Sequence, residues 1–174
     1  MSGTPTWNLP LPIDGQTPWG GDYRSALTTI DARLFGMRGS LFAVDELTPT
    51  VITTQNVAVK ATVDTTEGPP CQFCEYPVPN RILYVGPLTR VVTVWASFAL
   101  TSTNNQTIEV AVRKSGQVVP WLTTLVRTGT IGFGNATIVG HVEIATNEFL
   151  ELWVTNRTSS ADLTVLDLTM ATRG

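Results

Sequence analysis

Val91-Val92-Thr93-Val94-Trp95-Ala96-Ser97-Phe98-Ala99-Leu100 is the stretch whose pattern decides the fold class. Val92, Val94, Ala96, Phe98 and Leu100 occupy every second position, so an extended chain turns all five to one side. Val, Thr, Phe and Trp also suit a pleated, half-buried surface. The same reading extends outward in both directions. Ile108–Arg113 alternates, and Lys114-Ser115-Gly116-Gln117 is its turn. Ile138–Ile144 repeats the pattern, Phe149–Val154 follows a tight Thr146-Asn147-Glu148 corner, and Leu163–Met170 is the last strand. Upstream, Val57–Val63 and Arg81–Val85 are shorter candidates. Strands at this spacing, with turn residues between them, predict an all-β sandwich or barrel. Nothing between them is long enough to be the crossover helix of a parallel sheet.

The chain has 174 residues, enough for one domain with a core of its own. Charged residues make up 14%, against about 25% in an ordinary globular chain. Threonine fills the gap, and Lys60 and Lys114 are the only lysines. A net charge of -3 excludes a basic nucleic-acid footprint and a polybasic membrane anchor. No apolar run reaches the roughly 18 residues of a membrane span. The N-terminal stretch does not read as a signal peptide, because its first basic residue is Arg24 and prolines break every apolar run. The three Asn-x-Thr triplets, at Asn105, Asn135 and Asn156, are then expected to carry no sugar.

Residues 1–21 form an arm. Pro5, Pro10, Pro12 and Pro18 exclude a helix and impose extended backbone. Trp7, Leu9, Leu11, Ile13 and Trp19 are more apolar surface than so short a segment can bury by itself. Either the arm is a loose terminus or it orders against a partner, which its tryptophans favour. Residues 22–36 read as a helix capped by Asp22. Tyr23, Leu27, Ile30 and Leu34 then make a heptad seam that continues to Met37 and Leu41, with Gly36 and Gly39 interrupting its end. Such a stripe packs either on the chain's own β domain or against copies of itself in a short oligomer stalk. The division expected is an arm with an oligomerising helix over 1–40 and a β domain over 41–174.

Val139–Asn156, read as a hairpin of two late strands, resembles TNF-like jelly-roll modules of bacteriophage structural proteins. In those modules a V-E-L … G-D-x-I-E-L-W-V-x-N hairpin precedes a final D-I-T-V strand, here Asp162–Leu168. Asn147-Glu148 stands where the family has Gly-Asp, and Asn also tolerates that turn's backbone. The Leu9-Pro10-Leu11-Pro12 lead, Trp19-Gly20 and the short helix behind them resemble phage fibre and head-appendage proteins. The resemblance implies an antiparallel jelly-roll sandwich preceded by an arm and one short helix. It also implies a homotrimer, located in the virion, with major capsid protein or other virion proteins as partners. The expectation is a non-enzymatic capsid decoration protein of cement or head-fibre type on the capsid surface, anchored by its arm. The alternative is a tail-fibre or adhesin tip that binds host glycans.

No motif argues for catalysis, a cofactor or a metal. Cys71-Gln72-Phe73-Cys74 is flanked by prolines rather than followed by a helix, so it lacks the setting of a redox pair. It is expected to be two small loop thiols; a disulfide, or a ligand set shared between subunits, stays open. His141 lies mid-strand with no nucleophile motif to serve. Glu143, Glu148 and Glu151 could suggest a glycosidase pair, but alternation turns Glu143 and Glu151 to solvent on adjacent strands. Gly129–Gly134 reads as a loop. Trp95 and Trp153, mid-strand, suit core or subunit packing better than a sugar platform; Trp121 is the third candidate.

Overall fold

The computed structural model describes residues 36–68 and 71–174. They form eleven strands and, among the described residues, no helix. In chain order these are β1 (Arg38–Ala43), β2 (Val59–Lys60), β3 (Thr66–Glu67), β4 (Cys74–Glu75), β5 (Ile82–Tyr84), β6 (Arg90–Ser102), β7 (Thr107–Lys114), β8 (Gln117–Arg127), β9 (Phe133–Ile144), β10 (Phe149–Asn156) and β11 (Leu163–Arg173). Two antiparallel sheets result. One has the order β3-β1-β11-β6-β9; the other has β4-β5-β10-β7-β8, with β2 also pairing β10. Consecutive strands repeatedly change sheet, as a jelly roll requires.

The alternation in Val91–Leu100 becomes burial: Val92, Val94, Ala96, Phe98 and Leu100 all face the core. From β11 come Leu163, Val165, Leu168 and Met170. The step from Val165 to Leu168 breaks a period of two, and the pairing with β6 shifts register at that point. One extra residue in the strand returns the apolar side chains to the inner face. The second sheet contributes Ile108, Val110 and Val112 from β7 and Leu150, Leu152 and Val154 from β10. Each such aliphatic side chain stabilises the fold by roughly 1.5–3 kcal/mol on burial.

β2 and β5 share one edge of β10 and leave a gap between them at Leu152. Asn80 fills it. Its amide donates to the carbonyls of Ala61 (2.8 Å) and Leu152 (2.9 Å), and its oxygen accepts from the Leu152 N–H at 3.0 Å. A single buried side chain therefore replaces the missing stretch of strand. At the turn from β7 to β8, Ser115 and Gly116 both have positive φ, the two-residue hairpin geometry that matches strand twist. Asn147 has φ 68°, in line with the backbone expected of that corner.

Some of the expectations fall beyond the described residues, and others meet a different arrangement. The arm residues Trp7, Leu9, Leu11, Ile13 and Trp19 and the seam residues Tyr23, Leu27, Ile30 and Leu34 lie outside the described residues. The two downstream members of that seam, Met37 and Leu41, are buried in the sandwich core, and Leu41 belongs to β1. β1 spans the expected boundary at 40/41.

The two strands of Val139–Asn156 are not a hairpin pair: β9 pairs β6, whereas β10 pairs β7. The corner between them bonds to β5 instead, with Asn147 N–H donating to the Tyr84 carbonyl and Tyr84 N–H to that of Glu148. That carries β10 across to the other sheet. Glu143 and Glu151 thus sit on different sheets, and Glu151 is buried rather than solvated. Phe133 and Gly134 open β9 instead of ending a loop.

Cys71 and Cys74 are disulfide-bonded rather than free thiols. The loop they close exchanges two backbone hydrogen bonds with β1, between Arg38 and Gln72, while Cys74 itself lies in β4. It ties one sheet to the other. At the same end of the sandwich Arg38 lies opposite Arg173, and the Gly174 N–H donates to the Met37 carbonyl at 2.9 Å.

Candidate interaction face

The outward faces of the two sheets carry different chemistry. On the five-stranded sheet, register aligns Ser40, Ala171, Trp95 and Val139 in one row across β1, β11, β6 and β9. The next row holds Phe42, Thr169, Ser97 and Thr137. Val91 lies further along β6 and Phe133 near the start of β9. Val91 is 63% exposed and Val139 64%, while the large side chains of Trp95, Phe42 and Phe133 are about two-fifths exposed. Thr and Ser occupy most of the places between them, with Asn135 near one end of β9 and Glu143, opposite Val91, near the other. His141 faces out here too, with Nδ1 3.1 Å from the Thr93 hydroxyl.

The apolar surface continues round the edge where β8 meets β9. Gly140 is what lets these strands approach, because a Cβ there would stand 2.7 Å from Leu122 and 3.3 Å from Trp121. Trp121 Nε1 donates to the His141 carbonyl at 2.6 Å, and the residue stays 65% exposed. An exposed apolar face of this extent, free of ion pairs among the described residues, marks a surface made to be covered.

The six-stranded sheet is the opposite case. Glu151 is buried and accepts from Lys60 Nζ and Arg81 Nη2, both at 2.8 Å. Burial alone would raise its carboxyl pKa; the hydrogen bonds and charges of Lys60 and Arg81 outweigh burial and hold it below the usual range. Arg81 stacks on Phe149, and Arg113 on Trp153 at 4.5 Å. Lys114 pairs with Glu148 at 3.1 Å, and Arg157 with Glu109 at 2.5 Å. All four ion pairs between described residues belong to this side.

The site residues named from the sequence lie outside the described residues, and the described face is built from others. Of the other residues singled out, the structure brings Trp95, Trp121 and His141 to one region and sends Trp153 and Glu151 to the far side. Val91, Val139, Phe42 and Phe133 were missed. A signal for two of them existed: in Val91–Leu100, Val91 and Trp95 occupy the phase that should be polar.

No family model matches the chain, and no curated protein matches it in sequence. Solved structures do. Murine APRIL at pH 5.0 aligns with a TM-score of 0.53 at 10% identity, over 79% of this chain and 99% of that one. The PRD1 vertex protein P5 aligns with a TM-score of 0.51 at 8% identity, over 80% of this chain and 99% of its own. The fold is therefore a TNF-like jelly roll.

Proposed function

We propose that the chain is a non-enzymatic structural protein of a phage virion, a homotrimeric capsid decoration protein of cement or head-fibre type. The observation that carries this reading is the face around Trp95 and Val139. It is apolar, poor in charge and continuous with the exposed Trp121 edge, which suits a head-to-side arrangement of three sandwiches. A stable interface buries about 800 Å² on each partner. The fold shared with a PRD1 vertex protein supports the virion setting. The arm, through Trp7, Leu9, Leu11 and Ile13, attaches the trimer to major capsid protein by apolar contact, so the attachment survives high salt.

Light scattering tests the assembly. The wild-type protein should have three times the chain mass at micromolar concentration, and Trp95→Glu with Val139→Glu should reduce it to one, because unpaired charge does not enter an apolar contact. A wild-type monomer overturns the trimer. Co-sedimentation with particles lacking the protein tests attachment: deletion of residues 1–21 should abolish it, and full binding by the truncated chain would move the anchor to the β domain.

A further inference from the structure

We propose that a trough on the outer face of the six-stranded sheet binds a carboxylate-bearing carbohydrate, with Arg113 receiving the carboxylate. The trough has a volume of about 610 Å³, within the range of small-ligand sites. It runs across the sheet from Asn56 and Val57, past Thr155 of β10 and Glu109 and Arg113 of β7, to Val118 and Pro120 of β8. The proposal does not rest on the virion reading, since this side of the sandwich faces away from Trp95 and Val139.

Arg113 is what makes the ligand an anion. Lys60, Arg81, Lys114 and Arg157 each have a carboxylate; Arg113 is in none of the ion pairs between described residues. Its guanidinium is supported by the Trp153 ring and by one long bond, Nη1 to the Gly116 carbonyl at 3.3 Å. Its Nε is buried without an acceptor. A half-buried cation held in place by an aromatic ring, with donors to spare, is set to take a carboxylate in charge-assisted hydrogen bonds.

The rest of the trough favours a carbohydrate over a peptide. Its floor is made of β7 and β10, whose backbone groups are already paired with each other. A peptide lying there would find no ladder to join, and its own N–H and C=O groups would go unpaired. Recognition must use side chains. Asn56, Thr123, Thr155 and the Glu109–Arg157 pair offer both donors and acceptors, and Val57, Val118 and Pro120 offer apolar surface. Sugar rings, with polar rims and apolar faces, match that mixture.

The experiment is titration calorimetry with glucuronate-, galacturonate- and sialate-bearing oligosaccharides, each beside the same molecule with its carboxyl reduced to an alcohol. At least one acid should bind the full chain, and its reduced partner should bind roughly tenfold more weakly, the worth of one charge-assisted contact. Arg113→Gln should erase that difference while leaving the light-scattering mass unchanged. In the wild-type protein the Arg113 Nε–H resonance should shift on addition of the acid, a reading that stands even if the variant does not fold. Silence across the panel, equal binding of acid and alcohol, or an unmoved Nε–H resonance overturns the proposal. So does acetate binding as well as the oligosaccharides, which would make Arg113 an anion spot only, or a change of mass in Arg113→Gln, which would make the trough a contact between subunits.

Discussion

The two outward faces of this sandwich come from strands of the same kind, yet one is apolar and unpaired and the other is laced with charge. On the six-stranded side, Glu151 satisfies Lys60 and Arg81, Glu109 satisfies Arg157, and Glu148 satisfies Lys114. Those interactions close within the chain. On the five-stranded side, Val91, Trp95, Val139 and Phe42 have no counterpart to cover them among the described residues. The difference teaches where each face spends its chemistry. Substitutions on the charged side should change the stability of the fold, and substitutions on the apolar side should change its assembly.

The sharpest way to break that division is at Glu151. Lys60→Ala with Arg81→Ala leaves a buried carboxylate without a counter-charge, and should cost about 3–5 kcal/mol in denaturant unfolding, with the trimer mass unchanged while the protein is folded. The Glu151 carboxyl pKa should rise from below its usual range, because burial is then opposed only by the Trp153 indole N–H. Asn80→Ala comes next. It removes three hydrogen bonds around Leu152 and leaves buried backbone groups unsatisfied, for about 1–3 kcal/mol.

Trp95→Glu alone should cost under ~1 kcal/mol in the isolated domain, yet it should make the melting temperature independent of protein concentration, whereas that of wild type rises with concentration. A concentration-independent wild type, or a Trp95→Glu protein that unfolds outright, would show that the apolar face serves the fold instead.

The smallest effect is local. Glu46 accepts from the N–H groups of Leu47, Thr48 and Asp64. The Thr48 hydroxyl, with the Thr48 and Asp64 backbone N–H groups, lowers its pKa to about 2. A pKa lower in the folded than in the unfolded chain gives an interaction fully present above the unfolded value and lost as pH falls through the folded one. Hydrogen exchange at the Asp64 amide, corrected for its intrinsic pH dependence, should stay slow at pH 5 and lose protection as pH approaches 2. Protection unchanged at pH 2 would remove Glu46 from that role.

The sandwich was legible in the sequence wherever strands keep their phase. Val91–Leu100 and Ile108–Arg113 alternate, and both are strands. β8 was illegible for a physical reason. Its inward residues are Val119, Leu122 and Val126: the step of three spans a register shift in the pairing with β7, and the step of four skips Thr124, a polar residue in the same phase. Pro120 and the exposed Val118, Trp121 and Leu125 hide the pattern further. Sheet assignment at the Thr146–Glu148 corner was illegible too, since bonds to Tyr84 decide it and Tyr84 is more than sixty residues away in sequence. Local turn chemistry predicted the bend at Asn147 but not the partner of the strand that follows. The disulfide carried no sign beyond its spacing, and the apolar face showed only as Val91 and Trp95 out of phase.

The placement of Met37 beside Gly174 has a mechanical consequence. β1 runs antiparallel to β11, and their six residue pairs extend from Arg38 and Arg173 at that end to Ala43 and Leu168 at the other. A pull that enters the domain at residue 36 and leaves through Gly174 would peel these pairs apart one at a time, as a zipper opens. A pull that enters at residue 36 and is resisted at the far end of the sandwich loads all six together, in shear. A tether through the N-terminal segment is therefore strong or weak according to where the opposing grip lies, with no change in a single contact.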